Sequence, residues 1–212
     1  MNIGICGGTF DPFHNGHLEP VLAARELMEW ERMIYVPAYR QPFKVDQKAS
    51  SGYHRFAMAI LATEAIDEIF ISPRELDRGA TSYTVETLEL LRSEYPLDTL
   101  DWIIGDDNLE KLDEWKQIER IFELANFVVL ARGQAGAPVL HEDVPGQFRA
   151  RVTAPMKRGR HGSVVFADNA TVPISSTEIR GRVRDGQSIG GLVDPRVSHY
   201  IEHYRLYREA QP

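Results

Sequence analysis

Short apolar runs alternate with segments of helical periodicity along most of the chain. The runs that favour strands cover residues 1–6, 32–37, 69–72, 100–104 and 127–131, with shorter extended runs at 163–166 and 171–174. Between them, apolar side chains recur three or four positions apart, as they do on one face of an amphipathic helix. The predicted helices cover residues 16–31, 54–65, 84–95, 118–124, 177–185 and 195–207.

Strands separated by helices are typical of βαβ units, in which helices cover a parallel sheet. The sequence therefore predicts an α/β fold, with a single domain over residues 1–212 and a doubly wound, Rossmann-like, mostly parallel sheet. In open sheets of this kind, ligands bind beyond the carboxyl ends of the strands. We therefore expect functional residues directly after the predicted strands.

The least regular part of the chain is the segment 133–162, which holds several glycines and prolines and precedes a helical C-terminal part, 175–207. We interpret this segment as surface loops, because it is too short to form a second domain. It carries a basic cluster made of Lys157, Arg158 and Arg160. We expect the basic cluster to be solvated, and a contact with phosphate is the alternative.

Composition narrows the class of protein. The 212 residues include 24 basic and 31 acidic side chains, and 43% are hydrophobic, as in folded globular proteins and unlike disordered ones. The net charge of −7 argues against a general nucleic-acid binder, and no apolar run is long enough to span a membrane. The single cysteine, Cys6, excludes an internal disulfide and a cysteine-based zinc site, and we expect it to be buried. No signal peptide is recognised, so we expect a cytoplasmic protein.

The first predicted strand leads into the sequence GGTFDPFHNGH at residues 7–17. Adjacent glycines before a helix N-terminus form a phosphate-binding arrangement, because backbone N–H groups can approach an anion closely. His14 and His17 are three positions apart, so both rings can face one phosphate and donate hydrogen bonds to it. Helix capping with ordinary turn chemistry is one alternative, and a zinc site without an evident third ligand is another. The pattern is neither GxGxxG nor a P-loop.

A second candidate helix start lies near the C-terminus, in the sequence ISSTEIR at residues 174–180. Ser175, Ser176 or Thr177 can cap this helix. Arg180 lies three residues after Thr177, so a hydroxyl and a guanidinium can face one ligand. Such a pair at a helix N-terminus suits a triphosphate, and a capped helix with a surface arginine is the alternative.

Two further groups of side chains lie in the middle of the chain. The sequence SYT at residues 82–84 begins a predicted helix, where it can act as a cap. The sequence GDD at residues 105–107 follows the fourth predicted strand, where its carboxylates can bind magnesium or cap a helix. Trp115 lies in a polar stretch of sequence, and we therefore expect its side chain to lie at the edge of the core.

These motifs resemble the signatures of the nucleotidylyltransferase superfamily, whose members carry a (T/H)xGH motif after the first strand. The complete form at residues 7–17 and the segment at 174–180 are similar to the motifs of the bacterial nicotinate mononucleotide adenylyltransferase family. The resemblance extends from Met1 to about Tyr207, with 133–162 as its weakest stretch. It implies that ATP and nicotinate mononucleotide are converted to nicotinate adenine dinucleotide and pyrophosphate in NAD synthesis. It also implies direct in-line attack on the α-phosphorus, with Mg²⁺ carried mainly by the ATP phosphates.

The same resemblance assigns roles to individual residues. It makes His14, His17 and Arg180 the catalytic residues, and it assigns no residue to a metal. The implied ATP-binding residues are Gly7, Gly8, Thr9, Phe10, His14, His17, Arg132, Ile174, Ser175, Thr177 and Arg180. The implied mononucleotide-binding residues are Lys44, Ser82, Tyr83, Thr84, Gly105, Asp107 and Trp115, the last by stacking on the nicotinate ring. The sequence departs from the family pattern at Asp106, where a small residue is usual, and at Gly133, where proline usually follows the arginine.

Two other functions stay open at this point. One is another nucleotidylyltransferase, with nicotinamide mononucleotide or phosphopantetheine as acceptor, against which the segments at 82–84 and 105–115 argue. The other is a non-catalytic nucleotide-binding regulator on the same fold, against which the two histidines, Thr177 and Arg180 argue. The sequence leaves open the choice between acid and amide, the oligomeric state (a homo-oligomer included), and the roles of Asp106 and of the basic cluster.

Overall fold

A computed structural model describes residues 1–42, 49–131, 141–167 and 172–208. Six strands in this part of the chain form one sheet in which all neighbours are parallel. They are β1 (Asn2–Gly8), β2 (Arg32–Pro37), β3 (Ile69–Ile71), β4 (Thr99–Gly105), β5 (Asn126–Leu130) and β6 (Val164–Ala167). Their order across the sheet is β3-β2-β1-β4-β5-β6. The predicted doubly wound α/β architecture is confirmed.

Seven α-helices connect or follow the described strands. They are α1 (Asn15–Arg25), α2 (Gly52–Thr63), α3 (Arg74–Arg78), α4 (Thr84–Glu94), α5 (Ile118–Leu124), α6 (Ser176–Arg184) and α7 (Pro195–His203). Shorter 3₁₀ segments cover Asp106–Glu114, His141–Asp143, Gly146–Arg151 and Pro155–Lys157. Within the described ranges, no helix has the length and apolar character needed to cross a bilayer.

Alternating side chains along the strands form two apolar clusters, one on each face of the sheet. In β1, Ile3 and Ile5 belong to the cluster that also contains Leu88 of α4. Cys6 belongs to the opposite cluster, together with Val21 of α1, and is buried as expected. Both faces of the sheet are thus covered by helices, as a parallel sheet requires.

The last two helices pack on α2 in a third apolar cluster. Met58 of α2, Ile179 of α6 and Ile201 of α7 are buried members of this cluster. The chain between α6 and α7 also reaches the start of α1, where the backbone N–H of Asn15 donates to the carbonyl of Leu192 at 3.0 Å. This packing brings the C-terminal part of the chain back to the end of β1.

Two helices end earlier than the periodicity predicts. Helix α1 ends at Arg25 instead of residue 31, because Glu29 adopts a left-handed backbone conformation (φ 51°) and turns the chain towards β2. Helix α7 ends at His203 instead of residue 207, and Arg205 and Tyr207 beyond it have φ values of 52° and 63°. Apolar spacing alone cannot report such a backbone reversal, because the side chains on either side still contact the core.

Two further elements differ from the prediction. Residues 172–174 of the last predicted extended run form no strand, since the N–H of Ile174 donates to the carbonyl of Val172 in a tight turn. Thr171 of that run lies outside the described residues. The five-residue helix α3 is absent from the prediction, because it ends at Gly79 before any periodicity can develop.

The basic cluster is not uniformly solvated, which corrects the sequence interpretation. Lys157 and Arg160 are exposed, but the side chain of Arg158 is only 6% exposed. Its Nε atom lies 3.1 Å from Oδ2 of Asp101, whose side chain is fully buried. Arg158 therefore forms a largely buried ion pair with a residue of β4, away from the carboxyl ends of the strands.

Two neutral side chains complete this buried network. The indole N–H of Trp30 donates to Oδ2 of Asp101 at 2.8 Å, and Nδ2 of Asn126 donates to Oδ1 at 2.9 Å. Burial raises the pKa of the Asp101 carboxyl, while the charge of Arg158 and these hydrogen bonds lower it. The network joins the amino-terminal halves of β4 and β5, at the end of the sheet away from the candidate site.

Candidate functional site

The carboxyl ends of β1 and β4 border a small pocket at the middle of the sheet. The direction of chain progression reverses between these two neighbouring strands, which makes this the topological switch point where open α/β sheets bind ligands. Gly7, Phe10 and His17 of the first motif line the pocket together with Gly105 at the end of β4. The pocket therefore brings together residues assigned from sequence to ATP and one assigned to the mononucleotide.

His14 and His17 stack on each other at the start of α1. Their ring centroids are 3.6 Å apart and their planes are 27° from parallel, which confirms that both rings lie on one face. His14 is the buried N-terminal cap of α1, so the capping interpretation is also correct. The backbone N–H of His14 donates to Nδ1 of His17 at 3.3 Å. Because Nδ1 acts as an acceptor, the hydrogen of the neutral His17 ring belongs on Nε2, the atom that can donate to an anion.

An aromatic cluster holds the ring of His17. The rings of Phe10 and Phe13 lie 5.0 and 5.5 Å from it, measured between centroids. The hydroxyl of buried Tyr35 donates to the carbonyl of His17 at 3.0 Å. Phe10 has a left-handed backbone conformation (φ 53°) and is 5% exposed. Its ring thus supports His17 as well as lining the pocket.

Two glycines of the first motif permit close packing. A Cβ atom on Gly7 would lie 2.6 Å from the ring of Trp102 on β4. A Cβ atom on Gly16 would lie 3.1 Å from the carbonyl oxygen of Ile174, which begins the second motif. Gly16 therefore lets the start of α1 approach the second motif closely.

The end of β1 is held through its backbone by a buried arginine. Arg55 is 2% exposed and donates to the carbonyls of Thr9 and Ala38, both at 2.6 Å, and to the carbonyl of Ser50 at 3.0 Å. The carbonyl of Gly8 also accepts from the N–H of Ala38 at 2.8 Å. Arg55 thus joins the loops after β1 and β2 to the start of α2.

The two motifs meet although they are more than 150 positions apart in sequence. Nη1 of Arg180 donates to the carbonyl of Asp11 at 2.7 Å. The hydroxyl of Ser176 donates to the carbonyl of Pro12 at 3.1 Å. The N-terminus of α6 is therefore attached directly to the loop that carries the two histidines.

The second motif begins a helix as the sequence predicts. Ser175 is its cap, because its Oγ accepts from the N–H of Glu178 at 3.1 Å. Nη2 of Arg180 lies 3.3 Å from the hydroxyl of Thr177, which confirms that these two groups share one side. Both border an open cleft on the surface of α6. An anion in this cleft would meet a cation, a hydroxyl and the N-terminus of a helix.

The SYT segment lies against the loop that follows β2. Ser82 is 8% exposed, and its Oγ accepts from the N–H of Tyr39 at 3.0 Å. The half-buried ring of Tyr83 packs beside the core, with Nζ of Lys116 4.0 Å from its centroid. Thr84 is the first residue of α4. Of the three residues, Tyr83 occupies the N-cap position of α4. Ser82 instead binds the loop that follows β2.

The carboxylates after β4 have different surroundings. Asp106 is the first residue of the 3₁₀ segment that follows the strand, and its Oδ1 accepts from the N–H of the adjacent Asp107 at 2.9 Å. Asp107 is exposed, and its Oδ1 accepts from the side chain of Asn108. The half-buried ring of Trp115 packs edge-on against Phe127 with centroids 5.6 Å apart, as expected of a residue at the edge of the core.

Two of the residues assigned from sequence lie outside the described part of the chain, and two residues that contact the site were not assigned from sequence. Lys44 and Arg132 are among residues 43–48 and 132–140, which the structure does not describe. Arg55 was not among the residues assigned to the site, although it lies three residues before buried Met58, and an arginine on the buried stripe of a helix is a usable signal. Tyr207, the last residue of a predicted helix, was not assigned to the site either, and no local signal distinguishes it.

The doubly wound sheet and the joined motifs define a nucleotidyltransferase class of protein. Residues 5–182 match the family described as cytidylyltransferase-like. Proteins of Citrifermentans bemidjiense and Syntrophotalea carbinolica, each named "Probable nicotinate-nucleotide adenylyltransferase", are 36% and 38% identical to this chain. The matches cover 100% of this chain and 100% and 99% of those proteins. The chain belongs to the nicotinate-nucleotide adenylyltransferase family.

Solved structures with the same fold extend this comparison. Two structures of Plasmodium falciparum nicotinic acid mononucleotide adenylyltransferase, one complexed with APC and one with NaAD, give TM-scores of 0.68 and 0.69. Each is 21% identical in sequence, and the matches cover 97% of this chain and 96% and 97% of those chains. At this identity, the likeness concerns the fold.

Proposed function

We propose that this chain transfers the adenylyl group of ATP to nicotinate mononucleotide and releases pyrophosphate. The observation that carries the proposal is the direct contact between the two motifs, through Arg180 and Ser176, beside a pocket at the switch point of the sheet. Two anion-binding helix starts then face one substrate, as transfer at the α-phosphorus requires. The names of the full-length relatives support the same reaction.

The reaction needs no nucleophile from the protein. A phosphate oxygen of the mononucleotide forms a bond to the α-phosphorus, and the bond from that phosphorus to the β-phosphate oxygen breaks. Catalysis then consists of holding two anions in line and stabilising the charge that develops on the phosphate oxygens. The catalytic groups are therefore expected to be those that donate hydrogen bonds or carry positive charge.

The groups on the ATP side are the first motif and the start of α6. His17 donates from Nε2 to a phosphate oxygen, and His14 orients it through the stacked ring and the hydrogen bond to Nδ1. Thr177 and Arg180 receive the departing pyrophosphate at the N-terminus of α6. Arg132 and the backbone of residues 7–10 complete the proposed ATP contacts.

The groups on the mononucleotide side follow β2 and β4. Ser82 holds the loop after β2, which leads towards Lys44, the residue proposed for the mononucleotide phosphate. Asp107 and Trp115 follow β4, and Gly105 borders the pocket itself. The indole of Trp115 is half-buried and can present a face to the flat nicotinate ring.

Magnesium fits this site as part of its complex with ATP. When bound, Mg²⁺ neutralises phosphate charge. The side chains of the two motifs donate hydrogen bonds to phosphate oxygens and leave the cation to phosphate and water. Within the described ranges, no cluster of three or more His, Cys, Asp or Glu residues could hold a metal ion.

Replacing Trp115 with alanine is expected to raise the KM for nicotinate mononucleotide about tenfold, since stacking of one ring on an aromatic side chain contributes about 1–3 kcal/mol. The KM for ATP is expected to stay within about twofold. Steady-state kinetics with each substrate varied in turn measure both values. Trp115→Phe is the matched control and should keep most of the affinity. An unchanged mononucleotide KM in the alanine variant would remove Trp115 from the site.

The reaction itself is tested by separating the nucleotides after incubation with ATP, Mg²⁺ and nicotinate mononucleotide. The proposal expects nicotinate adenine dinucleotide and pyrophosphate in equal amounts. A non-catalytic regulator would bind ATP and release neither product.

A further inference from the structure

Asp11, within the first motif, contacts three distant segments of the chain. The residue is 4% exposed, and its carboxylate accepts two hydrogen bonds, one from the N–H of Ser50 at 3.0 Å and one from the hydroxyl of Tyr207 at 2.7 Å. Its backbone carbonyl accepts from Arg180. Asp11 therefore links the loop after β1 to Ser50 just before α2, to α6 and to the segment that follows α7.

The chain beyond α7 reverses to reach this carboxylate. Arg205 and Tyr207 both have left-handed backbone conformations, which are unfavourable for residues other than glycine. The side chain of Tyr207 packs with the cluster formed by α2, α6 and α7. Burial, together with the neighbouring charge of Asp11, raises the pKa of the Tyr207 hydroxyl. The hydroxyl therefore keeps its proton and acts as a donor to Asp11.

We infer that Tyr207 is a positioning residue for adenylyl transfer. It fixes the carboxylate of Asp11, and the backbone of Asp11 in turn fixes the guanidinium of Arg180. The inference rests on the proposed function, because it concerns how Arg180 is aimed at the ATP phosphates.

The geometry around Arg180 supports this chain of contacts. One terminal nitrogen of the guanidinium is bound to the carbonyl of Asp11, and the other faces the hydroxyl of Thr177. The orientation of Arg180 therefore follows the position of the Asp11 peptide. Tyr207 also borders the same open cleft as Thr177 and Arg180. Tyr207 thus forms part of the wall beside the expected pyrophosphate.

Removal of the hydroxyl is the most selective test. In Tyr207→Phe, the Asp11 carboxylate keeps the Ser50 donor but loses its second partner at a buried position. Because small misplacements of catalytic groups lower rates steeply, we expect kcat/KM for ATP to fall about tenfold. The KM for nicotinate mononucleotide should stay within about twofold, since its proposed contacts follow β2 and β4.

Tyr204→Phe is the matched control. Tyr204 lies three residues earlier and is 52% exposed, so its kinetics should equal those of the wild type. Asp11→Asn provides a second variant that weakens the same contacts, and it serves if Tyr207→Phe does not fold. Asp11→Asn should also lower kcat/KM for ATP.

A double-mutant cycle separates positioning from general stabilisation. If Tyr207 acts through Arg180, then adding Tyr207→Phe to Arg180→Ala should change kcat/KM for ATP by less than about twofold. A full additional loss in the Arg180→Ala background would contradict the inference, as would wild-type kinetics in Tyr207→Phe. A wild-type protein that forms no dinucleotide would instead overturn the proposed function.

Discussion

Replacing His17 with alanine is expected to lower kcat about 10²–10³-fold, the usual loss when one donor to developing charge is removed. The hydrogen bond from His14 leaves Nε2 of His17 as the donating atom, and the aromatic cluster holds the ring beside the pocket. Alanine removes that donor and leaves the backbone of α1 in place. We therefore expect a loss in turnover with a much smaller loss in thermal stability.

Steady-state turnover and a thermal melt on the same samples measure this effect. His199→Ala is the control, because His199 is exposed on α7, away from the two motifs. It should keep wild-type kinetics. If His17→Ala retained near-wild-type turnover with ATP and Mg²⁺, the phosphate-polarising role of His17 would be wrong.

The largest expected effect on stability comes from Arg158→Met. Methionine fills a similar volume but removes the counter-charge of Asp101, which is fully buried. Breaking a buried ion pair by removal of one partner costs about 3–5 kcal/mol in the free energy of unfolding. Trp30 and Asn126 still donate to the carboxylate, but they carry no charge.

The difference in unfolding free energy between the wild type and Arg158→Met should become smaller as the pH is lowered. Burial already raises the pKa of Asp101 in the wild type, and loss of the Arg158 charge raises it further, so the folded variant takes up a stabilising proton at a higher pH than the folded wild type. Denaturant unfolding at several pH values measures this. Lys157→Met is the neighbouring control; Lys157 is exposed, so the change should stay within about 0.5 kcal/mol. Equal stabilities of the two variants would contradict the buried network.

Much of the fold could be predicted because local pattern determines it. The strands carry apolar side chains on both faces, as Ile3, Ile5 and Cys6 illustrate, and such runs between amphipathic helices are typical of a covered parallel sheet. The helix ends were less predictable. A left-handed residue such as Glu29 ends a helix through its backbone, which side-chain periodicity does not report.

The candidate site was predictable in its parts but not in its connections. Within each motif, residues close in sequence determine the geometry: His14 and His17 share a face at the start of α1, and Ser175 caps α6. The contacts of Asp11 with Arg180 and Tyr207 join residues 169 and 196 positions apart, and no local pattern contains them. For the same reason, the basic cluster was expected to be solvated, although Arg158 is buried against a distant carboxylate.

The central claim is tested most directly by the choice of acceptor. Purified protein with ATP and Mg²⁺ is given nicotinate mononucleotide, nicotinamide mononucleotide or phosphopantetheine, and pyrophosphate release is measured for each. The proposed function predicts rapid release with nicotinate mononucleotide and much slower release with the other two. Preferential release with another acceptor, or ATP binding without release in any mixture, would contradict it.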